Sequence, residues 1–204
     1  MTNRQAELIS AILHPVFLPV FFALLLISNS LYDITAAASL LVLLIYLVFT
    51  TILPLISVLI LLRTGWLKDL TMQSRYNRSY PMIVTLLFNV LFLYLSARFQ
   101  ANPILNYITL ITAFTIILCW GLNIFTKLSL HLAGWAAFAS STIWFMKMGW
   151  LQTPVYIVIS ILLLGIVATA RLKLKAHNGI ELIVGTITGI LAVILTNYLI
   201  FRMA

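Results

Sequence analysis

Residues 36–62 read AAASLLVLLIYLVFTTILPLISVLILL, and this stretch contains no charged side chain. A helix needs about 20 apolar residues to cross the roughly 30 Å hydrocarbon core of a membrane. The stretch is longer than that, so its helix is expected to tilt, to bend near Pro54 or to protrude from the bilayer. It therefore predicts a membrane-spanning helix and excludes a soluble fold for this part of the chain.

The rest of the chain repeats this pattern. Hydrophobic residues make up 63% of the 204 residues and charged residues only 8%, whereas a soluble domain usually has about 25% charged residues. We predict an all-α protein, a polytopic transmembrane helical bundle with about six or seven spans, that forms a single transmembrane domain over residues 1–204. Besides 36–62, the predicted hydrophobic segments are residues 9–27, 82–99, 104–125, 130–150, 155–170 and 182–201.

The charges are basic and unevenly placed, with a net charge of +8. With seven spans, most Lys and Arg residues fall in loops on one side of the membrane, which the positive-inside rule assigns to the cytoplasm. The first segment is expected to be a retained span, because no clear signal-peptide cleavage site follows it. We expect an integral multi-pass protein of a bacterial inner membrane whose partners are membrane lipids, and no nucleic-acid partner.

Three polar stretches on this same predicted side carry most of the reactive side chains. They are KDLTMQSRYNRSYP at residues 68–81, SLH at residues 129–131 and RLKLKAHNGIE at residues 171–181. His177 and Glu181 are four residues apart, so on a helix they share a face. A carboxylate that accepts a hydrogen bond from one imidazole nitrogen fixes the tautomer and leaves the other nitrogen as a nucleophile.

The remaining polar residues suit the binding of a phosphate group. Ser129 stands at a predicted helix N-cap, where its hydroxyl and nearby backbone N–H groups can face an anion. His131 can act as a general acid toward a leaving alcohol. Cationic side chains can surround the phosphate and stabilise the charge that develops during transfer. The candidates for that role are Arg171, Arg75, Arg78 and Lys68.

Together the three stretches resemble the type 2 phosphatidic acid phosphatase superfamily. Its pattern is Lys-x6-Arg-Pro, then Pro-Ser-Gly-His, then Ser-Arg-x5-His-x3-Asp. Here the third motif is Arg171-x5-His177-x3-Glu181, with Ala170 in place of Ser and Glu in place of Asp. The second motif retains Ser and His in Leu-Ser-Leu-His at residues 128–131.

The first motif has two alternative placements. Lys68-x6-Arg75 has the family spacing but precedes Tyr76, whereas Arg78 stands three residues before Pro81. Both alternatives remain open at this point. The resemblance covers roughly residues 60–200, and it implies a core like that of the phosphatases.

For activity, the resemblance implies a phosphohistidine on His177, proton donation by His131 and no metal or other cofactor. The expected function is hydrolysis of a lipid phosphate monoester or diphosphate, of the phosphatidate, phosphatidylglycerophosphate or polyprenyl diphosphate type. The substrate would thus be an anionic phospholipid or an isoprenoid phosphate. The alternatives are a non-catalytic relative that binds anionic lipid headgroups, favoured by the altered second motif, and a small transporter component. The sequence leaves the oligomeric state open.

Overall fold

In the computed structural model, the described residues are 1–29, 31–32, 35, 37–67, 75–98 and 103–203, and they contain helices but no strand. The side chains of Arg75, Tyr76, Phe201 and Met203 lie outside this description. The α-helices are α1 Asn3–Ile12, α2 Leu18–Ser28, α3 Ala37–Leu47, α4 Leu53–Arg63, α5 Arg75–Arg98, α6 Pro103–Asn123, α7 Leu130–Lys147, α8 Val155–Lys173 and α9 Gly179–Met203.

The predicted all-α fold is confirmed. Six helical stretches are long and apolar enough to cross a membrane: Asn3–Ser28, Ala37–Arg63, Asn77–Arg98, Pro103–Asn123, Val155–Lys173 and Gly179–Ile200. They support an integral multi-pass membrane protein. The predicted segment 130–150 forms α7, which ends at Lys147 and is absent from this set of six.

Several helices extend beyond the hydrophobic segments that predict them. α1 begins at Asn3 and α5 at Arg75, several residues before the expected apolar positions 9 and 82. Polar side chains near a helix end can reach the headgroup region, so a helix need not begin where its apolar run begins. Pro81 lies inside α5 and does not end it.

α1 begins at a capping box and ends before a proline. The Thr2 side chain accepts a hydrogen bond from the Gln5 N–H, and the Gln5 side chain accepts one from the Thr2 N–H. Pro15 has no N–H to continue a helix. The chain instead forms a 3-10 turn at Pro15–Phe17, where His14 Nδ1 accepts a hydrogen bond from Val16 N–H at 3.2 Å.

The described part of the stretch that predicts the fold, residues 37–62, is helical with one irregular turn. A π-turn at Val48–Ile52 joins α3 to α4 directly before Pro54. Pro54 supplies no N–H for a regular i→i−4 bond, and the Leu53 N–H donates to the carbonyl of Val48, five residues back. The irregularity thus lies beside Pro54, where the sequence suggested a bend.

The chain forms two compact units. The first contains Met1–Leu18 and Thr126–Ala204, and the second contains Pro19–Phe125. In the second unit, α5 packs against α6 and α4. In the first unit, α7 packs against α9 and α8, and α1 packs against α8. The first unit carries the second and third motifs, so it is the unit that positions most of the predicted site.

Close packing of α7 on α9 depends on two glycines. A Cβ atom at Gly185 would collide with the backbone of Ser129, and one at Gly189 would collide with the backbone of Ala133 and Ala137. Helices in membranes often approach each other through such small residues four apart. The pairing places the N-terminal ends of α7 and α9 side by side, so the two helices run parallel.

Candidate functional site

His177 and Glu181 form the hydrogen bond that their spacing predicts. His177 Nδ1 lies 2.7 Å from Glu181 Oε2, and the side chains of the two residues are 4% and 17% exposed. The Asn178 Oδ1 accepts a hydrogen bond from the Glu181 N–H at 2.9 Å and so caps α9. Because Glu181 is in the first turn of α9, its carboxylate also faces the positive end of the helix dipole.

Glu181 also connects the third motif to the second. Its carbonyl oxygen accepts a hydrogen bond from the Ser129 N–H at 3.1 Å. Ser129 is the N-cap of α7, as predicted, and its hydroxyl accepts a hydrogen bond from the Leu132 N–H at 3.4 Å. Ser129 is completely buried. Its hydroxyl and its N–H thus both take part in hydrogen bonds within the protein, and the expected role in phosphate binding stays a prediction.

His131 is buried and bonded to the backbone. Its Nε2 lies 3.1 Å from the carbonyl oxygen of Ser10, so Nε2 carries the proton of this hydrogen bond. The Trp135 Nε1, one turn further along α7, donates to the carbonyl of Leu13 at 2.8 Å. The two side chains therefore bind carbonyls where α1 ends before Pro15, a place where helical backbone hydrogen bonding stops.

All three histidines of the chain belong to the first unit, and two are in direct contact. The rings of His14 and His131 are edge to face, with centroids 4.9 Å apart. The Arg171 charge acts on both of these rings, and His177 acts electrostatically on His131. Arg171 is in the last turn of α8 and is partly buried. The structure thus brings His131, His177, Glu181 and Arg171 into one cluster.

Arg78, the cationic side chain of the first motif that the structure describes, is in the other unit. Arg78 is on α5 and only 6% exposed. Arg75 begins α5, but its side chain is outside the described residues, and Lys68 is wholly outside them. Their predicted contact with the phosphate, and the choice between Arg75 and Arg78, therefore stay predictions.

Arg171 is the one side chain of the cluster that is always cationic. Within the described residues, no group of three or more His, Cys, Asp or Glu side chains is placed to hold a metal. The cluster combines one guanidinium and two imidazoles with one carboxylate, and that carboxylate is bonded to His177. A partly buried guanidinium is stabilised by an anionic partner, because burial removes part of its hydration.

Two features of this unit were missed in the sequence. The first is the Gly185-x3-Gly189 pair, which lies in an apolar segment and has the spacing of a helix-packing motif. The second is His14, which belongs to none of the three motifs. It does cap the turn after α1, and it also contacts His131. No local pattern predicts that contact, because the two residues are far apart in sequence.

The chain shows no significant match to known protein families, to curated proteins or to solved structures. The likeness to type 2 phosphatidic acid phosphatases therefore rests on the motif residues alone.

Proposed function

We propose that the protein is a membrane phosphohydrolase that removes phosphate from a lipid phosphate monoester or diphosphate. The buried hydrogen bond between His177 and Glu181 is the observation that carries this proposal. It holds the imidazole so that Nδ1 is protonated and Nε2 can attack phosphorus. Both residues are at the ends of apolar helices, where the headgroup of a lipid would lie.

The proposed reaction has two steps. In the first, His177 Nε2 forms a bond to phosphorus while the bond from phosphorus to the lipid oxygen breaks. Arg171 stabilises the charge on the phosphoryl oxygens, and His131 donates a proton to the lipid oxygen. In the second step, water attacks phosphorus and gives a proton back to His131, the bond to His177 breaks and inorganic phosphate leaves. To act as this acid, His131 has to be an imidazolium, with a proton on Nδ1 in addition to the Nε2 proton that the Ser10 carbonyl accepts.

The test is phosphate release by the purified chain in detergent with EDTA, using phosphatidate and a polyprenyl diphosphate. His177→Ala is expected to abolish release, because it removes the nucleophile. Glu181→Gln keeps the side-chain size but removes the charge, and we expect about 10²-fold slower release. Lys173→Ala is the matched control, since Lys173 is exposed in the same last turn of α8. Release by His177→Ala at the parent rate would overturn the mechanism.

A second candidate function is binding of anionic lipid headgroups without catalysis. The bond from His131 to the Ser10 carbonyl and the internal bonding of Ser129 favour it, because both residues of the second motif then serve the fold. Under this alternative, the chain binds phosphatidate but releases no phosphate from any lipid tested. Release that depends on His177 would exclude it.

A further inference from the structure

A groove of about 830 Å³ lies between α7 and α9 in the first unit, away from the histidine cluster. Its volume is within the range of about 300–1,000 Å³ that is usual for small-molecule sites. Its walls are mostly apolar, with a few polar side chains. The lining residues of α9 include Ile190, Val193, Ile194 and Asn197, and those of α7 are Ser140, Ile143 and Trp144.

The groove is at the opposite end of α9 from His177 and Glu181. At 1.5 Å per residue, Arg202 is about 31 Å along the helix from Glu181, roughly the thickness of the hydrocarbon core. Since α9 is long and apolar enough to span a membrane, Arg202 and Glu181 belong to opposite membrane surfaces. The groove is therefore separate from the proposed phosphatase site.

Two cations stand at the outer end of the groove, each on an aromatic ring that lines it. Arg202 Nη1 donates to the hydroxyl of Tyr198 at 2.8 Å, and the guanidinium carbon is 5.7 Å from the Tyr198 ring centroid. Lys147 Nζ is 5.1 Å from the Trp144 ring centroid. Within the part of the chain that the structure describes, neither cation forms an ion pair with a carboxylate.

The dimensions of the groove match one lipid chain in one leaflet. From Ile190 to Arg202 the groove follows α9 for about 18 Å, slightly more than half of the roughly 30 Å hydrocarbon core. A chain in the groove would start beside the two cations and end near the middle of the membrane. An anionic headgroup would then supply the counter-charge that the described residues do not supply.

We propose that this groove binds one acyl chain of a net anionic membrane phospholipid, with Arg202 and Lys147 holding its headgroup. The lipid contacts both α7 and α9, so it stabilises their pairing on the C-terminal side of the two glycines. This proposal does not depend on phosphatase activity.

The test measures lipid binding to the purified chain by native mass spectrometry, with phosphatidylglycerol and phosphatidylcholine of identical acyl chains. The double variant Arg202→Gln, Lys147→Gln is expected to bind phosphatidylglycerol roughly 30-fold more weakly, as two cations near an anionic headgroup imply. Its binding of phosphatidylcholine stays unchanged. Arg98→Gln is the matched control, because Arg98 lies on the Tyr94 ring of α5 in the same i, i+4 arrangement, 5.5 Å from its centroid, but does not line the groove.

A second pair of variants tests the acyl chain. Ile194→Trp places a large ring in the groove and should weaken the binding of both lipids at least tenfold. Leu191→Trp is on an exposed part of α9 outside the lining, and it should weaken the binding of neither lipid. The proposal is overturned if Ile194→Trp binds both lipids like the parent chain. It is equally overturned if Arg98→Gln lowers phosphatidylglycerol binding as much as the double variant, since the effect would then be one of overall charge.

Discussion

At the scale of single residues, His131 illustrates how one side chain can serve the fold and a proposed reaction. Its Nε2 supplies the hydrogen bond that the Ser10 carbonyl lacks where α1 ends. A buried carbonyl left without a donor costs about 1–3 kcal/mol. We therefore predict that His131→Phe, which keeps an aromatic ring beside His14, lowers the free energy of unfolding by that amount. Titration with SDS, followed by circular dichroism, measures it.

His131→Gln is the control for this prediction, because the Gln side-chain amide reaches about as far as the Nε2 of His and can donate to Ser10. It should recover part of the stability lost in His131→Phe. Equal losses in both variants would show that the hydrogen bond is not what stabilises this region. If neither variant lost stability, His131 would have no role in stabilising the fold.

The two histidines of the motifs differ in how far the sequence predicts their contacts. The bond from His177 to Glu181 follows from helix spacing, because residues four apart are neighbours on any helix. The bond from His131 to Ser10 joins residues 121 positions apart. It depends on how α1 and α7 pack, and neither helix carries a local pattern that specifies the partner. The position of His14 beside His131 was unpredictable for the same reason.

At the scale of helices, contact between α7 and α9 depends on the absence of side chains at Gly185 and Gly189. A Cβ at Gly189 would overlap backbone atoms of Ala133 and Ala137, which cannot rotate away. We predict that Gly189→Val forces the helices apart and lowers the unfolding free energy by about 2 kcal/mol or more, since overpacking typically costs about 1–3 kcal/mol. The SDS titration used for His131 measures this loss.

Gly165→Val is the matched control for the helix pair. Gly165 is also a helical glycine, on α8, and a Cβ there would meet no atom within 4 Å. It should keep nearly all of the parent stability, with at most a small change from helix propensity. A loss of stability as large as that of Gly189→Val would indicate that any added side chain is destabilising. The close α7–α9 contact would then not explain the effect at Gly189.

The hydrophobic segments of the sequence predict most of the helices, and the exceptions have physical reasons. Apolar runs mark the parts of the chain that can face lipid, and so they predict six of the helical stretches well. α7 is less apolar because much of its surface faces other helices, and its buried residues include Ala133, Ser141 and Thr142. Small and hydroxyl side chains allow close packing inside a bundle, so burial in protein replaces the hydrophobicity that lipid would require.

At the scale of the whole molecule, the geometry of the first unit predicts that α7 crosses the membrane as a seventh span. α7 lies parallel to α9, which is a candidate span, and α8 connects them. Seven crossings place Thr2, Lys127 and Lys175 on one side of the membrane and Gln152 on the other.

Single cysteines at these four positions, in a Cys119→Ser background, can be labelled in oriented vesicles with an impermeant maleimide. The loop charges predict that only Gln152→Cys reacts from outside. If Gln152→Cys reacted from the same side as Lys127→Cys, α7 would not cross, and the parallel packing of α7 and α9 could not describe the protein in a membrane.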